Sequence, residues 1–289
     1  MLRLALGLAT WFTLATTVAY AQTPKFERLT ARIAAWNLNG SSSIPQDQAE
    51  EQAKVLAILD AEIVALVEIN PDAVDTLINE LADTGVCYAE KTVNQIVRQE
   101  IAVIHKCDVS VENPRLVADS DDGNSYLPRA LAVDVRVGEF DFLLIVLHLQ
   151  AGRGSTSHAT RDRQGQAIAQ FISSETDGQA EKDVLLVGDY NMIPGQDSSN
   201  FHHLSPSGFL DFISSHDLRA ASSHISSSGA GNLLDGYAIT TGRTQEYVQG
   251  SLAVVRVDRA MGKSLQRFRT DVSDHLPLAA TFRIDTDDD

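Results

Sequence analysis

Apolar residues along this chain come in short dense runs that stop on polar side chains, and these runs alternate with stretches of helical spacing. Residues 29–38 alternate well enough to predict a first strand, which ends in Trp36-Asn37-Leu38-Asn39-Gly40. Ala49, Ala53, Leu56 and Leu59 recur at helical spacing with charges between them, so residues 47–59 predict a helix. Residues 61–67 form the next strand, ending on Glu68, and Pro71 stands where a helix over 72–81 would begin.

From 86 to 142 the pattern reads as strands and loops, with strand-like runs at 86–88 and 101–104 and a turn at 119–124. A strand over 130–135, led in by Pro128-Arg129, turns near Gly138-Glu139 into a partner over 140–147 that ends on His148. A loop over 152–158 and a helix over 160–171 follow. The run 183–187 is a buried strand that closes in Gly188-Asp189-Tyr190-Asn191. After a Ser- and His-rich irregular region, in which 209–213 reads as the buried face of a short helix, come strands at 235–240, 252–257 and 276–282. Ser273-Asp274-His275 immediately precedes the last of them. No internal repeat of fixed period is visible, and the loose alternation suits a mixed-sheet sandwich with helices outside.

Side chains two apart on an extended segment point the same way. Asp189 and Asn191 can therefore face one point at a sheet mouth, and Asn37 and Asn39 can do the same. A carboxylate and an amide converging there suit a hard divalent cation, or a phosphate and its attacking water. Each feature alone has a plainer explanation: an Asx turn, a solvated strand end, a half-buried histidine. Together, Asn37/Asn39, Glu68, His148, Asp189/Asn191 and Asp274/His275 put acids, amides and imidazoles where apolar runs stop, the inventory that metal-assisted phosphoryl hydrolysis needs.

Composition narrows the setting. A chain of 289 residues with 44% hydrophobic content can bury its own core. Arg3, an apolar run to Val18 and then Ala19-Tyr20-Ala21 predict a secretory signal peptide over 1–21, cleaved after Ala21. A retained anchor is the other reading, although the run is short against the roughly 20 apolar residues of a span. This leaves one domain over 22–284 and a solvated acidic tail over 285–289. In an oxidising compartment Cys87 and Cys107, the only cysteines, predict one disulfide; two buried free thiols are the alternative. The formal charge of −16 argues against non-specific binding of nucleic acid through a basic surface, but not against a nuclease whose cations bridge protein to phosphate. Stable membrane association and a protein partner are not indicated, and a monomer is expected.

Trp36-Asn37-Leu38-Asn39-Gly40, residues 63–68 ending on Glu68, His148-Leu149-Gln150, Gly188-Asp189-Tyr190-Asn191 and Ser273-Asp274-His275-Leu276-Pro277-Leu278 resemble, in order, the motifs of the endonuclease/exonuclease/phosphatase superfamily, which includes DNase I and the exonuclease III-type enzymes. The resemblance implies a four-layered α/β sandwich, two facing mixed sheets flanked by helices, that hydrolyses a phosphoester with Mg²⁺, Mn²⁺ or Ca²⁺. It implies Glu68 as the main metal ligand, with Asn39 and Asp274 completing that shell directly or through water, and Asn37 on the phosphate or steadying Glu68. His275 would be the general base oriented by Asp235, although Gly236 stands where the family often has a larger side chain. Asp189 and Asn191 would position the water and a phosphate oxygen, while His148 would stabilise the transition state or protonate the leaving oxygen. Arg129 resembles a phosphate-touching arginine. Simple register puts Gln99, not Glu100, where DNase I-like members have a glutamate partner for the equivalent of His148. The expected function is a secreted metal-dependent phosphodiesterase, an endonuclease first, with Arg153, Arg161 and Arg163 lining one side of a groove. A sphingomyelinase or phospholipid phosphodiesterase, a small-ester phosphatase, and an inactive binding module on the same fold are the alternatives.

Overall fold

The computed structural model describes residues 28–40, 45–69, 71–95, 100–176, 183–219 and 221–287. The expected signal peptide, Gln99 and the last two residues of the acidic tail lie outside them. The chain runs β1 (Thr30–Asn37), α1 (Gln46–Leu59), β2 (Ile63–Ile69), α2 (Pro71–Ala82), β3 (Tyr88–Thr92), β4 (Glu100–Lys106) and β5 (Ser110–Leu116). It continues through β6 (Leu131–Val137), β7 (Phe140–His148), α3 (Ser155–Thr176), β8 (Val184–Asp189), α4 (Ser198–Leu204), β9 (Leu210–Asp211) and α5 (Ile213–Asp217). It closes with the hairpin β10 (Ile225–Ser226) and β11 (Gly229–Ala230), then β12 (Asp235–Thr240), β13 (Ala253–Val254), α6 (Val257–Ala260), α7 (Leu265–Asp271) and β14 (Leu278–Arg283).

Two six-stranded mixed sheets result, one ordered β13-β14-β1-β2-β4-β3 and the other β5-β6-β7-β8-β12-β9. Alternate residues of each strand go to different cores. Ile33, Ala35, Ala65, Val67 and Val103 of the first sheet meet Leu131, Val133, Leu144, Val146 and Val187 of the second. The outward residues Trp36, Leu66 and Ile104 pack beneath Leu56 of α1 and Leu77 of α2. On the far side Leu143, Ile145 and Leu186 pack beneath Ile168 and Ile172 of α3. Both faces of the central strands are thus covered, which is why the strands read as apolar runs with little alternation. The four-layered sandwich is as expected.

Register brings the polar strand ends together. β1 and β2 run parallel with Asn37 opposite Val67, so the first sheet delivers Asn37 and Glu68 to one edge. β7 and β8 are also parallel, with His148 opposite Asp189, and antiparallel β12 sets Asp235 opposite Asp189.

Three local readings change, and one strand not singled out in the 86–142 stretch appears. α3 begins at Ser155 rather than Thr160, so polar 155–159 belongs to the helix, and its buried anchor Arg161 lies nearly two turns inside. Leu210–Asp211 is an edge strand on β12 rather than helix, with the Leu210 N–H donating to Ser205 Oγ. The strand expected over 252–257 shrinks to Ala253–Val254 because Val257 already opens α6. β5 forms although its exposed face is polar, and it pairs with β6 around a bulge between Glu112 and Arg115. Cys87 and Cys107 form a disulfide with a Cα–Cα distance of 5.5 Å.

Candidate active site

At the edge of the first sheet, Asn37 is buried and its amide Nδ2 donates to Glu68 Oε1 at 2.9 Å and to Asp189 Oδ2 at 3.0 Å. One amide therefore ties the two sheets across the core and fixes two carboxylates. Glu68 has a left-handed backbone, φ 54°, at the point where the β2–β4 register slips between Val67 and Ile69. Such a bulge turns the side chain off the ladder. The Ser-Asp-His segment is fastened to β1: Ser273 Oγ donates to Asn37 O at 2.7 Å, the His275 N–H donates to Ser273 Oγ at 2.9 Å, and Trp36 Nε1 donates to His275 O at 2.8 Å.

The second sheet contributes a transverse row. Arg129 lies two residues before Leu131, which pairs with Val146, so it emerges at the same edge as His148. Asp189 and Asp235 continue the row. His148 Nε2 is 3.4 Å from Glu68 Oε1 and 4.0 Å from Asp189 Oδ2, while its buried Nδ1 has no hydrogen-bond partner among the described residues. His275 Nδ1 is 2.7 Å from Asp235 Oδ2, and its Nε2 is 3.9 Å from Asp189 Oδ2. Asn191, itself at φ 52°, donates its backbone N–H to Asp189 Oδ1 at 2.8 Å and Nδ2 to Leu149 O at 3.0 Å.

Burial sets the electrostatics. Loss of solvation and the neighbouring Asp235 charge raise the Asp189 carboxyl to about 6, against the opposing pull of His275 and His148. Burial works to neutralise His275, but the charge and hydrogen bond of Asp235, with help from Asp189 and Asp274, push it up to about 10. Crowded acids beside imidazoles are the usual preparation for a cation or for proton transfer. One ligand atom each from Glu68, His148 and Asp189 lies within 4.8 Å of the others, and the same holds for Asp189, Asp235 and His275. Carboxylate oxygens with an imidazole suit Mg²⁺ or Mn²⁺, and the His148 nitrogen that faces both acids is Nε2.

Of the residues expected at the site, Asn37, Glu68, His148, Asp189, Asn191, Asp235 and His275 converge. Asn39 is exposed, and its backbone N–H donates to Asn37 Oδ1 at 2.8 Å. Asp274 belongs to neither ligand cluster; it lies 3.9 Å from Arg269 and acts on His275 through its charge. Arg129 is half exposed at the edge and paired with Asp121 at 2.9 Å. Glu100 is buried opposite Ile69, directly beyond the Glu68 bulge.

Of the three arginines expected to line a groove after His148, Arg161 cannot, and the other two are each engaged by an aspartate. Arg161 is fully buried and donates to the carbonyls of Gln150 and Gly152, bracing the loop that follows His148. Arg153 pairs with Asp197 at 2.7 Å and donates to Asn191 O, and Arg163 forms a two-pronged pair with Asp122. Gly236 has a reason of its own: a Cβ there would lie 2.4 Å from Cδ2 and Cε2 of the Tyr190 ring, which fills the space. His224 was not singled out from the sequence. It bridges to His275 with ring centroids 5.1 Å apart, and only the His-rich composition of its segment hinted at it.

Comparison with curated protein sequences gives no match. Solved structures share the fold at low identity. They include D. rerio TDP2 complexed with single strand DNA product (TM-score 0.65, 14% identity, 88% of this chain and 99% of that one). The human Nocturnin catalytic domain with bound sulfate aligns with a TM-score of 0.59 at 19% identity over 88% of this chain and 94% of that one. A Bacteroides thetaiotaomicron mannosyl-6-phosphatase aligns with a TM-score of 0.60 at 13% identity over 86% and 98%. The profile that describes the Endonuclease/Exonuclease/phosphatase family matches residues 34–275, from the first strand to the histidine of Ser-Asp-His, and the chain belongs to that family of phosphoesterases.

Proposed function

We propose that this protein is an exported, divalent-cation-dependent phosphodiesterase whose substrate is nucleic acid. The observation that carries the reading is His275 held between Asp235 and Asp189, with Glu68 and His148 facing the same Asp189. A base with an orienting carboxylate stands on one side of a cluster suited to a cation and a phosphate.

Asp235 accepts from Nδ1 of His275 and so directs Nε2 toward the reacting centre, where it takes the proton of the attacking water. Asn37 keeps Glu68 and Asp189 at fixed separation while substrate enters. His148, beside both carboxylates, faces the oxygens of the phosphate or the departing alkoxide. Glu68 and Asp189, with His148 adjacent, would hold a divalent cation, which when bound would supply positive charge for the phosphate and offset the carboxylate field that keeps His275 protonated. Nucleic acid is favoured by the partly exposed Arg129 in the His148 row and by the DNA-bound TDP2 relative. The mannosyl-6-phosphatase relative favours a second reading, a phosphatase for sugar-type monoesters.

The basic, apolar and small-residue pattern of residues 1–21 supports the export reading. Mass analysis of protein recovered outside the cytoplasm should find Gln22 at its N-terminus. The decisive assay incubates the protein with supercoiled plasmid, bis(p-nitrophenyl) phosphate, mannose 6-phosphate and sphingomyelin, with Mg²⁺ or EDTA, beside His275→Ala. Mg²⁺-dependent nicking lost in the variant is expected. Turnover of mannose 6-phosphate or sphingomyelin with plasmid left intact would overturn the substrate assignment, and inactivity on all four with any divalent cation would overturn the enzyme.

A further inference from the structure

A third imidazole lies at the site with no established role. His224 and His275 face each other as an antiparallel bridge, with Ile225 N–H donating to Asp274 O at 2.7 Å and Leu276 N–H to Ser223 O at 2.8 Å. Bonds flanking the pair in this way define the non-hydrogen-bonded type of cross-strand pair, in which both side chains leave on one face. The rings accordingly meet edge to face, 5.1 Å apart at 63°.

The His224 backbone is held firmly. Its N–H donates to Asn232 O at 3.0 Å, and its carbonyl accepts from Gly231 N–H at 2.9 Å and from Ser222 Oγ at 2.7 Å. The hairpin beyond it is fixed to α7, where Arg269 Nε donates to Ile225 O at 2.9 Å. Yet the half-buried ring itself makes no hydrogen bond among the described residues. A Cβ on Gly231 would come within 2.6 Å of His224 Nδ1, so Nδ1 lies against the Gly231 backbone and Nε2 is the ring nitrogen left for an outside partner. A rigidly mounted side chain with an unspent polar atom beside a general base is built to meet a ligand.

We propose that His224 is a substrate-contacting residue, which hydrogen-bonds through Nε2 to an oxygen of the group that flanks the scissile phosphorus on the His275 side, and so discriminates among phosphodiesters. The proposal rests on the phosphodiesterase reading above and adds the specificity element to it. A nucleotide presents sugar and neighbouring phosphate oxygens there; bis(p-nitrophenyl) phosphate presents an aryl ring whose nitro oxygens lie at its far end.

The test compares kcat and KM of the wild-type protein, His224→Ala and His224→Gln on a thymidine oligonucleotide and on bis(p-nitrophenyl) phosphate, with thermal melts alongside. The ratio of kcat/KM for oligonucleotide over bis(p-nitrophenyl) phosphate should fall about tenfold in His224→Ala, the size of one hydrogen bond to substrate, with most of the change in KM. His224→Gln, whose amide reaches the position of Nε2, should recover part of it. An equal loss on both substrates would mean that His224 merely supports His275 and would overturn the proposal, as would no loss on either. A wild-type protein that turns over neither substrate would overturn the phosphodiesterase reading itself, and this inference with it.

Discussion

Asp189 and Asp235 stand opposite each other in the β8–β12 ladder, and the His275 imidazole lies between them, Nδ1 at 2.7 Å from Asp235 and Nε2 at 3.9 Å from Asp189. The closer carboxylate decides the tautomer. Asp235 can only accept, so when His275 gives up one proton Nδ1 keeps the other and Nε2 is left for the water. An Asn at 235 can turn its amide toward Nδ1 and donate, which moves the proton to Nε2. Asp235→Asn should therefore lower kcat on bis(p-nitrophenyl) phosphate by a factor on the order of 100 or more with little change in KM. A variant with near wild-type kcat would remove Asp235 from the orienting role.

The same carboxylates make metal-free stability depend on pH in an uncommon direction. The native value of His275, about 10, exceeds the unfolded 6.5 because the Asp235 and Asp189 charges outweigh burial. A group raised in this way contributes stability that is fully present below 6.5 and is lost as pH climbs through 10. Asp189 behaves alike in a lower window: raised from 3.8 to about 6 by burial and Asp235, it favours the native state below 3.8 and loses that contribution as pH rises through 6. Urea midpoints in EDTA should thus fall between pH 7 and 10, with an upper limit of about 1.4 kcal/mol per pH unit from His275. The slope should flatten in His275→Gln, and identical slopes in the two proteins would show that His275 is not the group responsible.

A cation in the Glu68–His148–Asp189 cluster would bind the native state alone and shift unfolding by mass action. Mg²⁺ at about 100 times its Kd should add about 2.7 kcal/mol, seen as a rise in Tm that EDTA reverses. Glu68→Gln should abolish most of that rise while retaining the bond from Asn37 through its amide oxygen. A Tm indifferent to Mg²⁺ in the wild-type protein would argue against a cation held there.

Much of this site is legible in the sequence, for one physical reason. Asn37, Glu68, His148 and Asp189 each end an apolar run, and parallel pairing of β1 with β2 and of β7 with β8 brings such ends to a common edge. Asp235 begins its strand instead and was reached only through the family resemblance. What stayed illegible depends on tertiary partners. The sequence puts Arg161 among the arginines expected to line a groove, but the carbonyls of Gln150 and Gly152 and the Asn200 amide oxygen make it a buried brace. His224 owes its place to a bridge with a residue far along the chain, a pairing that no local periodicity encodes.

The disulfide lies away from the chemistry. Cys107 follows the end of β4 at which His105 pairs with Ile63, whereas the Glu100 end approaches Glu68. Closing a loop of sequence separation 20 contributes about 3 kcal/mol through the unfolded chain. Cys87→Ser/Cys107→Ser should lower Tm on the order of 10 °C and keep kcat near wild type at temperatures where it stays folded. A large loss of kcat without loss of structure would show that this end of the sheet communicates with the site.

Gly236 and Tyr190 form a size-matched pair beside the catalytic row. Tyr190 is buried, its hydroxyl donates to Leu186 O at 2.7 Å, and its ring occupies the volume into which a side chain at 236 would project. The glycine after Asp235 is thus the complement of the tyrosine after Asp189 on the neighbouring strand, and one cannot enlarge while the other stays. Gly236→Ala should cost about 1–3 kcal/mol by overpacking. It should also reduce kcat, since the displaced strand carries Asp235. Tyr190→Leu alone should be destabilising through a cavity and a lost hydrogen bond. The double variant separates shape from chance: with the ring gone, adding Gly236→Ala should cost little beyond Tyr190→Leu itself. Additive losses in the melts of the two singles and the double would show that the sites do not share the volume.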